Sequence, residues 1–543
     1  MVNESVKRFG ESTSLVFAGE KNYTYRNLGY DVALVSDYLI ELGITKGDKV
    51  AILGTNSPNW GIAYLSVLSV GAVAVPVLPD FHEDEIRTII RHSGSKALFV
   101  SLNLYCKVSK SSIPLVKHAI LLDNFAYIPI GTPHNHIKIL TSSIPVFKRN
   151  LNPFSVEEGD LATIIYTSGT TGSSKGVMLT HKNLAWTTQQ CYELEHVGTG
   201  DRFISMLPLS HTLENTVGFL LPLKYGASVH YLRKQPVASV LLPAFGIVKP
   251  TILLSVPLII EKIFRTKIYP EFQKNSATRF MYHLSATRKI MHRIAAGRLQ
   301  EIFGGAVRFF GIGGAKLDPI VERFLMEGKF PYAIGYGLTE TSPLLAGAVV
   351  NRTRLGSTGP AISGVKLRLG NPDPVTGEGE IQAKGPNVMK GYFKMPEMTR
   401  KVFTKDGWFK TGDRGWFDKD GYLYIKGRIR NMIVGASGQN IYPEEIESII
   451  NKMRFVLESL VVQKKGKLVA MIHLNMAEVE SHFKLLRSEA RSYIHEKTDE
   501  ILREIQKKVN ERVNKFSRLQ KVVLQPSPFE KTPTKKIKRF LYI

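Results

Sequence analysis

The segment from Ile164 to Thr180, IIYTSGTTGSSKGVMLT, limits this chain more than any other stretch of it. An apolar run, Ile164-Ile165-Tyr166, leads into a dense cluster of small hydroxylated residues and glycines, Thr167 to Gly176, that holds one cation, Lys175. Glycines let a backbone approach a ligand closely and adopt positive φ. Successive N–H groups then form an anion-binding nest, to which hydroxyls and an ammonium add donors. That chemistry suits the phosphates of a nucleotide. The cluster is not a Walker A loop, which needs four residues between its first Gly and a Gly-Lys pair; here Lys175 follows Ser174. A flexible Gly/Ser linker is disfavoured too, because linkers seldom follow a buried strand or hold a lone Lys among small residues.

The pattern around this loop reads as α/β. Tyr25 to Leu42 has helical apolar spacing, and Lys49 to Leu53, Ala97 to Ser101, Ile120 to Leu122 and Thr163 to Tyr166 read as short buried strands. Strands separated by helices imply a parallel sheet with crossovers. Ser228 to Leu232 and Thr251 to Val256 continue the series, followed by a long helical stretch from Leu258 to Phe303 and a strand, Val307 to Ile312, that ends in Gly313-Gly314. From Gly356 to about residue 427 glycine, proline and short strands (Lys366 to Leu369, Glu380 to Ala383) predict a small β-rich subdomain. The texture shifts again near Arg428. Pro443 to Ile450 predicts a helix with acidic residues in its first turn, as the helix dipole favours, and a charged helix is expected from about Glu478 to Phe516. Gly61 to Pro79 is uncharged and about as long as a bilayer requires, but Gly71 divides it and Pro76 interrupts its second half. A buried helix feeding a buried strand fits it better. The N-terminus is polar and reads as no secretory signal. Cys106 and Cys191 fit no metal spacing and suit a reducing cytosol.

YTSGTTGSSKGV resembles the signature of the adenylate-forming, AMP-binding enzymes, which include acyl-CoA synthetases, peptide-synthetase adenylation domains and luciferases. Further motifs follow in that family's order over nearly the whole chain. The resemblance implies a large N-terminal domain (1–427) of parallel sheets flanked by helices plus the β-rich subdomain, and a small mobile α+β domain (428–543). It implies that Thr167, Ser168, Gly169, Thr170, Thr171, Gly172 and Lys175 hold ATP phosphates, and that His211 of Pro208-Leu209-Ser210-His211 sits beside the carboxylate pocket. Gly313-Gly314-Ala315 would let a flat ring or acyl chain lie against backbone. In Gly335 to Thr341, GYGLTET, Tyr336 and Gly337 would lie near adenine, Thr339 would contact the α-phosphate and Glu340 would hold Mg²⁺, a hard cation that takes carboxylate ligands. Asp413 of Lys410-Thr411-Gly412-Asp413 would accept from the ribose hydroxyls, and Arg428 would contact ribose or phosphate. Arg430 takes the hinge position, where relatives usually carry Asp or Lys. Gly438 lies in the loop expected near the thiol's tunnel. Lys536 aligns with the catalytic lysine, preceded by Lys535 where the family pattern has Gly.

The activity implied is ATP-dependent conversion of a carboxylic acid to acyl-AMP, then thioester formation with coenzyme A, with ATP, Mg²⁺ and coenzyme A as cofactors. Three features point to a medium- or long-chain fatty acid. The stretch containing VPLIIEKIF and the ending PFEKTPTKKIKRFLY both look like the long-chain fatty acid–CoA ligase branch, and a net charge of +25 suits work beside an anionic membrane. The same charge suits acidic acyl carrier protein as the thiol. A membrane-binding protein that kept the fold and lost catalysis is the alternative of another class, opposed by the intact set Lys175, Glu340, Asp413, Arg428 and Lys536. No helix-turn-helix, zinc-finger or RNP-like motif points to nucleic acid. The expected location is the cytoplasm, with peripheral contact at the inner face of a membrane.

Overall fold

The computed structural model describes residues 1–20, 23–109, 116–128, 132, 155–167, 174–434, 440–464, 466–483, 491–532 and 537–543. Two large sheets dominate. The eight-stranded sheet runs, in spatial order, Gly391–Tyr392, Lys175–Thr180, Leu161–Thr167, Val73–Val77, Lys49–Leu53, Ala97–Val100, His118–Leu121 and Tyr127–Ile128. Its central strands are parallel and its edges antiparallel. The seven-stranded sheet runs Leu15–Phe17, Ser228–Tyr231, Arg202–Ile204, Ile252–Ser255, Phe309–Ile312, Tyr332–Tyr336 and Ala346–Gly347, parallel except for the last pair.

Strand alternation explains how these sheets pack. Side chains of Val50 and Ile52 point to one face of the strand and those of Ala51 and Leu53 to the other. The first pair joins a core shared with Phe203 and Val229 of the other sheet, filled by Trp60, Tyr64 and Phe219. The second pair packs under helix Glu83–Ser93. The outer face of the seven-stranded sheet is covered by Phe245, Leu299 and Phe324, from three helices. Strands buried on both faces read as continuous apolar runs, which is why so many were visible in the sequence.

The bilayer-length segment resolves into helix Pro58–Ser69 and strand Val73–Val77, separated at Gly71 with φ +71°. Pro76 has no N–H to give, and pairing of this strand with Leu161–Thr167 is confined to Ala74↔Thr163, where the Thr163 hydroxyl also donates to the Ala74 carbonyl (3.0 Å). No helix among the described residues is long and apolar enough to cross a membrane.

Two helical expectations need correction. Leu258 to Phe303 is a series of elements: Pro257–Ile263, a π-turn at Phe264–Ile268, Tyr269–Phe272, Ser276–His283 and Ser285–Ile302. Asn275 makes a capping box with Thr278, which starts a new helix in mid-stretch. The charged segment after residue 475 is likewise divided, into Met476–His482 and Arg491–Asn510, followed by a short 3₁₀ turn at Lys515–Ser517.

Residues 366–428 form an antiparallel four-stranded sheet, Lys366–Gly370, Gly379–Lys384, Phe409–Phe417 and Leu423–Arg428. Beyond it the chain forms the hairpin Ile433–Val434 with Asn440–Ile441, helix Pro443–Ile450, and a three-stranded sheet of Val456–Lys464, Lys467–Leu474 and Lys521–Leu524. This C-terminal unit has its own core, including Ile446, Ile472 and Ile505.

Candidate active site

The site forms where strands of both large sheets end. Strand Tyr332–Tyr336 runs into Gly337, whose hypothetical Cβ would lie 1.7 Å from the Pro343 carbonyl oxygen. Only glycine lets the chain fold back here. A short 3₁₀ turn, Thr339–Thr341, follows and is closed by the Leu338 N–H donating to Thr341 Oγ1 (2.9 Å). Buried Asn387 fastens the turn, donating to the carbonyls of Thr341 (3.2 Å) and Leu344 (2.6 Å). The Met389 N–H donates to the Glu340 carbonyl (2.9 Å). Tyr336, Thr339 and Glu340 are thereby held at half-buried positions on one rigid rim.

Asp413 and Arg428 face each other across antiparallel strands of the four-stranded sheet. Asp413 is buried; its Oδ1 accepts Arg428 Nε at 2.7 Å, and its Oδ2 accepts the Tyr336 hydroxyl at 2.8 Å. Burial raises the Tyr336 phenol well above its ordinary range, and the Asp413 charge adds to this. Burial opposes the Arg428 charge, but Asp413, Tyr336 and Glu340 together hold its guanidinium above its usual value. These three side chains join the four-stranded sheet to the seven-stranded one. Each carboxylate oxygen has a second lone pair, so Asp413 can still accept from a ligand hydroxyl.

The phosphate-loop candidate is closed by a hairpin in which Thr167 pairs with Lys175. Ser168, Gly169, Thr170, Thr171 and Gly172 lie outside the described residues. Gly391–Tyr392 adds a strand to this hairpin, with the Phe393 N–H donating to the Gly176 carbonyl (2.8 Å). Lys175 Nζ sits 5.2 Å from the Tyr392 ring centroid, and the Tyr392 hydroxyl donates to Glu340 Oε1 (2.9 Å). Tyr392 thus joins the loop's lysine to the candidate metal ligand. Sequence reasoning missed it, since a Gly-Tyr pair far along the chain carries no motif.

Among the described residues no three His, Cys, Asp or Glu side chains gather as a metal-binding group. A Mg²⁺ held by one carboxylate and shared with substrate phosphates needs no such group. Glu340 fits that role, because its Oε1 is fixed by Tyr392 and its second oxygen remains as a ligand.

Arg430 lies in a 3₁₀ turn, Ile429–Asn431, exposed at the edge of the site. Partial desolvation and the neighbouring Arg428 lower its guanidinium, opposed by Asp413, Glu340 and Tyr392. Gly438, Lys535 and Lys536 lie outside the described residues. Lys531 and Ile537 bridge the base of the segment that carries the two lysines, and Lys531 is ion-paired to Glu458.

On the third side is the segment bearing His211. Asn56, which follows strand Lys49–Leu53 of the other sheet, donates to the Leu207 carbonyl (2.6 Å) and Ser205 Oγ (2.8 Å), and accepts from the Leu209 N–H (2.9 Å). Ser205 in turn donates to Glu214 Oε1 (2.6 Å). Glu214 is fully buried and opens the π-turn Glu214–Leu220; burial pushes its carboxyl up to about 8, against the pull of Ser205. His211 is half-buried, its Nδ1 accepting the Leu213 N–H at 3.3 Å. The Leu213 side chain covers Gly313, where an added Cβ would meet it at 3.1 Å. The same Cβ would be 3.8 Å from the Gly335 carbonyl, so the His211, Gly313 and Tyr336 segments are neighbours. Gly313 is buried, whereas Gly314 (φ +87°) and Ala315 are exposed. Asn56 and Glu214 are further functional candidates that no spacing in the sequence announced.

The family model for AMP-binding enzymes matches residues 2–393. This chain belongs to the AMP-binding enzyme family. Its curated relatives include a long-chain-fatty-acid–CoA ligase of Mycobacterium tuberculosis, 28% identical over 78% of this chain and 72% of that protein. They also include a chloroplastic long-chain-fatty-acid–[acyl-carrier-protein] ligase of Arabidopsis thaliana, 27% identical over 88% and 76%. Among solved structures, ATP-bound MatB from Rhodopseudomonas palustris is similar with a TM-score of 0.76 at 24% identity, covering 99% of this chain and 98% of that one. The o-succinylbenzoate coenzyme A synthetase of Bacillus subtilis, in complex with ATP and magnesium ion, is similar with a TM-score of 0.75 at 21% identity, covering 99% and 98%. These likenesses establish the α/β fold with a large N-terminal and a small C-terminal unit.

Proposed function

We propose that this enzyme of the adenylate-forming ligase family activates a medium- or long-chain fatty acid with ATP and transfers the acyl group to coenzyme A. The observation that carries the reading is the junction of Asp413, Arg428 and Tyr336 beside Glu340, Tyr392 and Lys175. It offers a ribose acceptor, a cation partner and a lysine for phosphate on one rim, beside Tyr336 at the carboxyl end of its strand, the end where open α/β sheets bind ligands. The relatives' names support the fatty acid.

In this reading the substrate carboxylate attacks the α-phosphorus of ATP and pyrophosphate leaves with the electron pair of the broken P–O bond. The nucleophile is already ionised, so no general base is required. Bound Mg²⁺, with Glu340 as its protein ligand, would neutralise charge on the phosphates. Thr167 to Gly172 and Lys175 would cradle the β- and γ-phosphates, while Thr339 and Lys536 would stabilise charge at the α-phosphate. Tyr336 and Gly337 would flank adenine, Asp413 and Arg428 would orient ribose, and His211 with Gly313, Gly314 and Ala315 would border the acid. The thiol then attacks the acyl carbonyl and AMP departs. Residues 1–427 would form the fixed domain and 428–543 the mobile one, turning near Arg430 so that Gly438 replaces Lys536 at the site. Acyl carrier protein is the alternative thiol, favoured by the net charge of +25 and by the plant relative. Peripheral contact with an anionic membrane belongs to the same proposal.

The test is ATP–pyrophosphate exchange across acids of graded chain length, with wild type and Lys536→Ala. Exchange should peak at one chain length and fall at least 100-fold in the variant. Coenzyme A and carrier protein, added separately, then identify the thiol. Absence of exchange with every acid would refute the proposal.

A further inference from the structure

Helices Ser276–His283 and Ser285–Ile302 lie outside the sheets, and the first buries none of its side chains. Phe280 is 66% exposed, Ile294 56% and Ile290 55%, with Met281 and Leu284 also open. A helix that leaves Phe and Met in water has an unused apolar face, and exposed apolar faces are candidate interaction surfaces. Next to the patch is a cleft of about 270 Å³, walled by Ile268, Phe272, Met291, Ile294 and Ile302 and edged by two cations, Lys267 and Arg298, and one carboxylate, Glu271.

Charge indicates the partner. The stretch from Leu258 to Phe303 holds nine Lys and Arg against three Glu. Lys274, Arg279, Lys289 and Arg293 are exposed, and among the described residues none of them pairs with a carboxylate. Among the described C-terminal residues, Arg539 is paired with Glu447 and Lys538 lies 3.9 Å from Glu530. An exposed apolar face ringed by unpaired cations is complementary to an anionic lipid surface, where the face can sink to headgroup depth.

We propose that this face docks on a bilayer containing anionic phospholipid. Phe280, Met281, Leu284, Ile290 and Ile294 enter the interfacial layer, the basic side chains meet headgroup phosphates, and one lipid acyl chain seats in the cleft. The proposal gives the membrane contact of the reading above a defined surface. Its geometry does not require that reading, and vesicle binding is measured without ATP or acid, so the two can fail separately.

The experiment is sedimentation of the full chain with vesicles of phosphatidylcholine, with and without phosphatidylglycerol. Anionic lipid should strengthen binding at least tenfold, and added salt should weaken it. The double variant Arg279→Glu/Arg293→Glu should lose at least tenfold, and Ile290→Ser/Ile294→Ser should lose the binding that persists at high salt. Both should keep wild-type far-UV circular dichroism and exchange activity with a water-soluble acid. Fluorescence of Ile302→Trp should be quenched by lipid brominated on its acyl chains beyond the quenching seen in wild type. Equal binding to neutral and anionic vesicles, or wild-type binding by both double variants, would overturn the docking surface. So would self-association lost in the Ser variant without any vesicle binding, which would make the face a protein interface. Absence of added quenching would overturn the seat for an acyl chain.

Discussion

Asp413 and Glu214 are both buried carboxylates, but their partners differ. Asp413 is met by the Arg428 guanidinium and the Tyr336 hydroxyl. Asp413→Ala would leave a guanidinium and a phenol without their acceptor, and such losses cost about 2–3 kcal/mol. Urea denaturation should show that loss, and exchange at low ATP should fall more steeply than exchange at saturating ATP. Among the described residues Glu214 has no cation partner; the Ser205 hydroxyl and the Leu207 backbone hydrogen-bond to it, and the buried Tyr231 phenol of the Ser228–Tyr231 strand lies nearby. Its carboxyl is raised from 4.5 to about 8, so the folded chain keeps a proton that the unfolded chain has lost. Stability from this group is therefore complete below about 4.5, declines as pH rises through the window, and is gone above about 8. Glu214→Gln keeps an acceptor for Ser205 without a titrating group. The melting temperature of the variant relative to wild type should rise between pH 5 and pH 9; parallel curves would show that Glu214 is ionised throughout.

At the scale of elements, the turn after strand Tyr332–Tyr336 has the least tolerance. Gly337→Ala would drive a methyl onto the Pro343 carbonyl, so the turn carrying Thr339 and Glu340 must move. Near-attack geometry is lost with displacements of about 1 Å. Exchange should fall at least 100-fold while far-UV circular dichroism changes little. A second element-scale contact joins helix Pro443–Ile450 to the large unit. Arg265 donates to the Asn451 carbonyl and pairs with Asp318 at 2.9 Å, and Lys452 lies 3.9 Å from the same carboxylate. Asp318 also caps helix Pro319–Glu327 through the Ile320 N–H. Asp318→Asn keeps the cap and removes the charge. Proteolytic cutting near residues 429–434 should then rise several-fold, with little change in melting temperature; unaltered cutting would show that this contact does not hold the C-terminal unit.

At the scale of the molecule, the candidate site depends on several separate sheets meeting. Asn56, from the eight-stranded sheet, grips the segment that carries His211 and leaves the seven-stranded one. Asp413, from the four-stranded sheet, reaches Tyr336 of the seven-stranded one. Tyr392, an edge strand of the first sheet, reaches Glu340. Each link spans a large sequence separation, so loss of one should be felt at the next. In a double-variant cycle, Tyr392→Phe and Asp413→Asn should show coupling in ATP affinity, because both shape the surroundings of Arg428 and Arg430.

Local chemistry was enough for much of this. Buried parallel strands announce themselves as apolar runs; Lys49–Leu53 has the bounds its residues predicted, and a helix starts at Pro443 as its acidic first turn predicted. The Ser/Thr/Gly loop with Lys175 stands out because phosphate-binding backbones demand glycines and small polar residues in tight succession, whereas the GYGLTET turn and Asp413 are singled out by their resemblance to the family's motifs. The break at Asn275 was hidden by helical spacing on both sides, since apolar periodicity survives a cap that starts a new helix. Only the tertiary structure could decide that Tyr392 meets Glu340, that Asn56 and Glu214 support the His211 segment, and that Phe280 and Ile294 remain in solvent. Spacing along a chain specifies which face a residue takes on its own element; what covers that face is set by how distant elements pack.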